Sequence, residues 1–134
     1  MTKRELEISF THELYDPKNK VVYYKRPWMG GSKILYKIWI YVTGKEEEID
    51  KIREVKYILN AFPKHPVRTV TDRDNYFKLI FWAWGGFQMY IIVTSIYDEL
   101  YEYTVPIRLH TLLAAAKNNK SVTFTDVLAD RYLL

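Results

Sequence analysis

Three aromatic residues, Phe62, Trp84 and Phe87, are the side chains of this sequence best suited to contacting a ligand. Phe62 precedes a proline, and Trp84 and Phe87 flank a pair of glycines. Both groups lie in short turns between strand-like runs, within residues 55–93. Aromatic rings in such turns are typical of binding loops, since their flat faces can stack on a ligand. The alternative is that Phe62 and Trp84 simply anchor their loops.

The sequence does not place catalytic or metal-binding residues at the spacing that a catalytic or metal site requires. His12, His65 and His110 are far apart, and none has a Cys, Asp or Glu at the spacing of a metal site. The nucleophile, metalloprotease, P-loop and dinucleotide motifs are absent from the sequence. Gly85-Gly86 is too short to cradle a phosphate and fits a turn between strands. We therefore predict a protein that is not an enzyme and has no metal and no cofactor.

Length and composition favour one intracellular domain. The chain has 134 residues and no cysteine, which excludes disulfides and thiolate metal sites. Residues 79–97 carry no charge, but a glycine pair, Gln88 and many aromatic or β-branched residues favour strands over a membrane helix. The N-terminal residues do not open into an apolar signal segment. We expect a cytoplasmic protein that makes no membrane contact.

The charge balance is mildly basic. The chain has 20 Lys and Arg residues against 16 Asp and Glu residues, for a net charge of +4. The basic residues are scattered among acidic ones, which does not favour a nucleic acid as partner. We therefore rank nucleic-acid binding below the other functions considered for this chain. Aromatic residues make up 16% of the chain, which fits a strand-rich domain with some rings on a binding surface.

Alternation of apolar and polar residues predicts a series of strands separated by turns that contain Gly or Pro. The predicted strands cover residues 5–14, 21–25, 33–43, 53–59, 77–83, 87–97 and 101–113, with a helical turn at 45–51. Near the C-terminus, Ser121 or Thr125 is a candidate N-cap. Apolar residues with near-helical spacing then predict a helix over residues 121–134.

Four motifs follow one another in the middle of the chain. They are Val55-x-Tyr57-x-Leu59-Asn60-Ala61-Phe62-Pro63, then Pro66-Val67-Arg68, then Asp72-Arg73 before Phe77, and finally the aromatic-glycine turn at residues 83–87. In order and spacing they resemble the YEATS domain family, most closely its prokaryotic branch. The family carries V-x-Y-x-L-H-x-[ST]-F-P, a proline-bearing loop, an Asp-Arg pair and G-[WY]-[GA]-[EG]-F. The resemblance covers residues from about 3 to 113.

Strand spacing and this resemblance together predict the fold class. We expect an all-β protein, an immunoglobulin-like β-sandwich of about eight strands with a short C-terminal helix. Residues 1–134 are expected to form a single YEATS-like domain. Its core covers about residues 3–113, and residues 114–134 form a C-terminal extension that is predicted to be helical.

The resemblance implies recognition of an acylated lysine by two aromatic walls. By motif, Phe62 is the first wall, Trp84 is the second wall and the donor of a backbone N–H, and Phe87 is a further pocket aromatic. Gly85 belongs to the same turn, and Trp28 lies near the loop that forms a third wall in the family. The sequence departs from the family at two positions, because Ala61 replaces a hydroxyl and Leu59 replaces a histidine.

The leading prediction is a non-enzymatic binding module that recognises an acylated lysine or another flat ligand. Its partner is then an acylated-lysine peptide or a partner protein. The alternative is a protein–protein interaction scaffold in a prokaryotic stress or defence signalling system, without a working acyl-lysine pocket. The sequence leaves the ligand, the pathway and the oligomeric state open.

Overall fold

The structure is a computed structural model that describes residues 6–15, 18–26, 34–59 and 67–127. Within these ranges the chain forms nine strands and two short α-helices. The strands are β1 (Ile8–Glu13), β2 (Val21–Lys25), β3 (Leu35–Gly44), β4 (Ile52–Ile58), β5 (Val67–Val70), β6 (Leu79–Ala83), β7 (Phe87–Ser95), β8 (Leu100–Ile107) and β9 (Thr123–Asp126). The helices are α1 (Glu46–Ile49) and α2 (Leu109–Lys117). Neither helix of this described part is long and apolar enough to cross a membrane.

The strands form two sheets, as expected for the predicted all-β class. In one sheet the order is β1-β3-β2-β9, and β6 also pairs with β3. In the other sheet the order is β5-β4-β7-β8, and all neighbours are antiparallel. The consecutive strands β6 and β7 therefore belong to different sheets, and residues 84–86 connect them.

The described residues group into two compact units. The first unit contains residues 6–11, 40–59, 67–79 and 87–107, and it includes β4, β5, β7 and β8. Burial alternates along β7: Met89, Ile91 and Val93 are buried, whereas Gln88 and Tyr90 are exposed. Successive side chains of a strand point to opposite faces, so one face of β7 belongs to the core.

A bulge in β4 explains its irregular burial pattern. Ile52 and Val55 are both buried although they are three residues apart, which a regular strand does not allow. The pairing with β7 shifts between Ile52 and Glu54. One extra residue in β4 therefore returns Val55 to the core face, and Tyr57 and Leu59 follow on that face.

The second unit contains residues 12–15, 18–26, 34–39, 80–86 and 108–127. Strands β2, β3 and β6 contribute Val22, Ile38 and Phe81 to the buried side. The neighbours of these residues along each strand are less buried, again with a period of two. The less buried side chains of the three strands therefore lie together on the face of the sheet that points away from the core.

The helix near the C-terminus lies earlier in the chain than predicted. The strand predicted over residues 101–113 ends at Ile107, and α2 follows. Leu and Ala are strong helix formers, and Leu109, Leu113 and Ala116 are buried at helical spacing. The short helix is therefore present, but it precedes the predicted position.

The helix predicted over residues 121–134 is wrong where the structure describes it, because Thr123–Asp126 is strand β9. This strand pairs in parallel with β2, and the N–H of Thr123 donates to the carbonyl of Lys20 at 2.8 Å. Pairing with β2 supplies the backbone hydrogen bonds, and β-branched residues favour the extended form. Residues 128–134 lie outside the described residues.

Two further boundaries differ from the prediction. The loop predicted around Val67 is strand β5, which pairs with β4 so that Val67 lies opposite Ile58. The strand predicted from residue 77 begins at Leu79, because Tyr76 and Phe77 both have a φ of 55°. A bulky residue rarely adopts a positive φ, and a strand cannot include one without breaking its pairing.

Candidate functional site

The turn after β6 presents the most exposed of the predicted site residues that the structure describes. Ala83, the last residue of β6, is buried, and the next residue, Trp84, is 48% exposed. Gly85-Gly86 follows Trp84 in the connection between β6 and β7. An indole with half of its surface open to water can stack on a planar group. The role of Trp84 in ligand binding stays a prediction.

Gly85 keeps the surface of this turn open. A Cβ atom added at Gly85 would meet no heavy atom within 4 Å. The backbone of the turn can therefore be approached closely, as a ligand that accepts a hydrogen bond from a backbone N–H requires. The identity of the ligand does not follow from this openness.

Phe87 and Leu59 lie in the first unit and differ in exposure. Phe87 is the first residue of β7, is half-buried and lies opposite Ile107 of β8. Leu59 directly follows β4 and is fully buried. Leu59 therefore contributes to the core of its unit and offers no surface to a ligand in this structure.

Three of the seven predicted site residues, Trp28, Ala61 and Phe62, lie outside the described residues. Trp84 and Gly85 share one turn in the second unit. Leu59 and Phe87 lie in the first unit, where β4 and β7 are antiparallel neighbours with Ile58 opposite Tyr90. The arrangement of the aromatic walls around a ligand stays a prediction.

The Asp-Arg motif forms a structural corner that sequence reasoning missed. Arg73 donates from Nε to Asp50 Oδ1 at 2.8 Å and from Nη2 to Glu46 Oε2 at 2.5 Å. The hydroxyl of Tyr76 donates to Glu46 Oε1 at 2.9 Å. Hydrogen bonds from Arg73 and Tyr76 hold the pKa of the Glu46 carboxyl below its ordinary value. No local signal in the sequence identifies these partners, which are more than twenty residues away.

A buried tyrosine completes this corner. Tyr57 and Phe77 are both fully buried, and the Tyr57 hydroxyl donates to the carbonyl oxygen of Phe77 at 2.7 Å. Burial raises the pKa of Tyr57, so the hydroxyl stays protonated and remains a donor. The N–H of Phe77 donates to the carbonyl of Asp72 at 2.9 Å. Phe77, with a φ of 55°, is thus hydrogen-bonded through both its N–H and its carbonyl.

The histidines do not form a site in the residues that the structure describes. His12 Nε2 accepts a hydrogen bond from the backbone N–H of Arg108 at 3.3 Å. Burial, and then the positive charge of Arg108, lower the pKa of His12. His110 is exposed on α2, and His65 lies outside the described residues. In the described ranges no three His, Cys, Asp or Glu residues are grouped to hold a metal.

Two surface depressions are lined by residues other than those of the aromatic-glycine turn. One, of about 230 Å³, is lined by residues of the first unit that include Glu48, Lys51 and Tyr101. The other, of about 300 Å³, is lined by residues of the second unit that include Leu14 and Leu112. Neither is lined by a predicted site residue.

Comparison with known families identifies the class of protein. Residues 36–107 match the family model of the prokaryotic YEATS domain, which is more than half of the chain. The chain therefore belongs to the prokaryotic YEATS domain family, as its motifs predict. No curated protein sequence is significantly similar to the chain.

Solved structures of the YEATS protein Yaf9 are similar to this chain. The crystal structure of the yeast AF-9 homolog Yaf9 has 20% identity and a TM-score of 0.51 over 75% of this chain, and the chain covers 64% of that Yaf9 chain. A Yaf9 YEATS domain recognising an H3K122suc peptide has 18% identity and a TM-score of 0.52, covering 84% and 82% of the two chains. One bound to H3K27ac has 17% identity and a TM-score of 0.51, covering 82% and 79%.

This similarity confirms the predicted fold. The two sheets are those of a YEATS domain, an immunoglobulin-like β-sandwich. At such low identity the likeness concerns the fold alone.

Proposed function

We propose that this YEATS domain is a non-enzymatic binding module that recognises an acylated lysine, or another flat ligand, between Phe62 and Trp84. Membership of the family supports this proposal. The Yaf9 domains with H3K122suc and H3K27ac peptides also support it, since they show modified peptides as ligands of the same fold. We expect the protein to act in the cytoplasm.

The exposure of Trp84 is the observation that carries the proposal. A tryptophan that served only as a loop anchor would bury most of its ring, whereas Trp84 is 48% exposed beside an open glycine. An amide is neutral and planar, so it can stack on an indole face. A lysine ammonium keeps a hydration shell that a tight aromatic slot would remove at a high cost. An acylated lysine is therefore preferred over an unmodified one.

Two replaced side chains set the expected strength of binding. Ala61 has no hydroxyl to donate to the acyl oxygen, and Leu59 is buried and has no ring nitrogen. A missing hydrogen bond typically costs about 0.5–1.5 kcal/mol, which is a few-fold to about tenfold in affinity. The backbone N–H of Trp84 is the remaining donor in our proposal. We therefore expect weak binding, with more contact to flat unsaturated acyl groups than to acetyl.

An interaction scaffold is the second candidate function, and one observation favours it. The connection between β7 and β8 exposes Ile96 and Tyr97, and Leu100 at the start of β8 is exposed as well. Each has at least half of its surface open, and Tyr97 reaches 67%. Grouped exposed apolar side chains are common at protein–protein contacts. In this alternative the partner is another protein and the acyl-lysine pocket does not work.

Calorimetric titration with acetylated, crotonylated and unmodified lysine peptides tests the proposal. We expect weak binding of crotonylated peptide, weaker binding of acetylated peptide and none of the unmodified one, because a conjugated acyl chain offers more contact to the rings. Trp84→Ala should abolish this binding, and Ala61→Ser should strengthen it by restoring a hydroxyl donor.

Tyr97→Ala is the matched control, since it removes an exposed aromatic ring elsewhere in the chain. It should leave peptide binding unchanged. If no peptide binds at about millimolar concentration, the reader proposal fails and the scaffold takes its place.

A further inference from the structure

One face of the second unit combines aromatic rings with lysines on three strands. Along β2, β3 and β6 the buried residues Val22, Ile38 and Phe81 alternate with less buried neighbours. These neighbours share the opposite face, because side chains alternate along a strand. We define this aromatic–lysine face by Tyr23 and Lys25 of β2, Lys37 and Trp39 of β3, and Trp82 of β6.

The lysines of this face lie over the rings of neighbouring residues. Lys25 Nζ is 4.3 Å from the ring centroid of Trp82. Lys37 Nζ is 5.1 Å from the ring centroid of Tyr23 and 5.5 Å from that of Trp39. These distances are within the range of cation–π attraction, which fixes each ammonium beside a ring. The fold thus places two ammonium groups and three rings on one surface.

Lysines outnumber acidic residues on the described part of this face. Within the second unit, the other residues at outward positions of β2, β3 and β6 are Val21, Leu35 and Ile80. Glu13 of β1 also lies on this side, because Ser9 and Thr11 of β1 form hydrogen bonds with Thr43 at an outward position of β3. β9 adds Thr123 and Thr125, since Thr125 lies opposite Tyr23 in the parallel pairing. With two lysines and one glutamate, the described part of the face has a net positive charge, and it suits an anionic partner.

We propose that the aromatic–lysine face binds a single-stranded nucleic acid. Phosphates interact with ammonium groups, and unpaired bases stack on aromatic rings, so this ligand uses both kinds of group. In a duplex the bases are stacked inside, and only the phosphates can reach the face. An acidic polypeptide likewise uses the lysines but not the rings.

The sequence did not favour a nucleic acid as partner, because its Lys and Arg residues are scattered along the chain. This inference revises that expectation. Lys25 and Lys37 are twelve positions apart in the chain, but β2 and β3 are paired, with Lys25 opposite Leu35. The proposal is independent of acyl-lysine recognition, because no residue of the aromatic–lysine face belongs to the proposed reader site. Either proposal can fail without the other.

Fluorescence anisotropy with a labelled oligo(dT) tests the proposal over a range of salt concentrations. We expect a Kd of about 10⁻⁴ to 10⁻⁶ M, as is typical of binding without sequence preference. The double variant Lys25→Gln/Lys37→Gln should reduce the slope of log K against log salt by about 1.4, because each lysine neutralises one phosphate of a single strand. Trp82→Leu should weaken binding by about tenfold through loss of stacking.

The double variant Lys117→Gln/Lys120→Gln is the matched control. It removes the same charge from two exposed positions of the second unit that lie outside the face. It should retain most of the binding and of the salt slope. Equal losses in the two double variants would overturn the proposal, because they would indicate attraction to net charge alone.

Two competitor ligands separate the proposed partner from other polyanions. A duplex of the same length and a polyglutamate peptide should both bind more weakly than oligo(dT) at the same salt concentration. Equal or tighter binding of either competitor would overturn the assignment to a single strand. Absence of oligo(dT) binding at about 50 mM salt and 1 mM protein would overturn the proposal altogether.

Discussion

The corner at residues 71–78 and the turn at residues 84–86 both follow aromatic motifs of the sequence, but they use their rings in opposite ways. In the corner, Phe77 is fully buried and its carbonyl accepts a hydrogen bond from Tyr57. In the turn, Trp84 is half exposed, and a Cβ atom added at Gly85 would meet no heavy atom within 4 Å. The corner encloses its ring in the core, whereas the turn leaves about half of Trp84 open to water, where we propose that a ligand binds.

This difference suggests different tests for the two aromatic motifs: loss of stability for the corner and loss of binding for the turn. A buried ring contributes its apolar area to stability, and the polar groups around it need partners. An exposed ring contributes much less to stability, so its removal should affect binding more than folding. The predictions below compare the two regions, from the largest expected effect to the smallest.

Truncating the two rings should give the largest contrast. Phe77→Ala should lower the free energy of unfolding by about 3–5 kcal/mol, because it leaves a cavity where a buried ring was. Trp84→Ala should lower it by clearly less than Phe77→Ala does, because about half of the Trp84 residue is already in water. Urea unfolding of both variants measures the difference. Equal destabilisation would show that Trp84 is a structural anchor.

Removing one hydroxyl sharpens the account of the corner. Tyr57→Phe should lower the free energy of unfolding by about 1–3 kcal/mol, because the buried carbonyl of Phe77 loses its donor. Tyr97→Phe is the control at an exposed position and should change stability by less than about 0.5 kcal/mol. Similar results for the two variants would contradict the role given to Tyr57.

Two glycines offer a matched comparison of backbone environments. Gly44 has a φ of 147°, and a Cβ there would lie 2.8 Å from the carbonyl oxygen of Glu7. Gly44→Ala should therefore lower the free energy of unfolding by about 1–3 kcal/mol. Gly85→Ala meets open space and should change it by less than about 1 kcal/mol. Thermal unfolding of both variants checks this order, and the reverse order would contradict it.

The smallest expected effect is a pH dependence from His12. Burial and Arg108 lower the pKa of His12 in the folded state, so the unfolded state takes up a proton more readily. The contribution of neutral His12 to stability is therefore present above pH of about 6.5 and is lost as the pH falls further. His12→Gln should flatten this part of the stability profile in urea unfolding between pH 5 and 8. An unchanged profile would exclude His12 as the cause, and His110→Gln serves as control.

The sequence predicted most of the strands because their alternation of apolar and polar residues is a local signal. Met89, Ile91 and Val93 of β7 are buried as this alternation requires. The turn at Trp84 was predicted from its glycine pair in the same way. These features could be read from neighbouring residues alone.

The errors concern features that depend on distant parts of the chain. Thr123–Asp126 is a strand because β2 is available for pairing, although the apolar spacing around it suggested a helix. The side chain that donates to the carbonyl of Phe77 is that of Tyr57, twenty residues earlier. The cation–π contact between Lys25 and Trp82 likewise depends on how the strands are ordered in the sheet. Local propensity contains no information on such partners.

Chemical-shift mapping with a crotonylated lysine peptide tests the central claim most directly. We expect the indole N–H of Trp84 and the ring of Phe87 to shift as peptide is added, while Tyr57 and Phe77 do not. Indole signals can be assigned by substituting the tryptophans one at a time. Shifts confined to Tyr97 or to the corner, or no shifts at about millimolar peptide, would contradict the account.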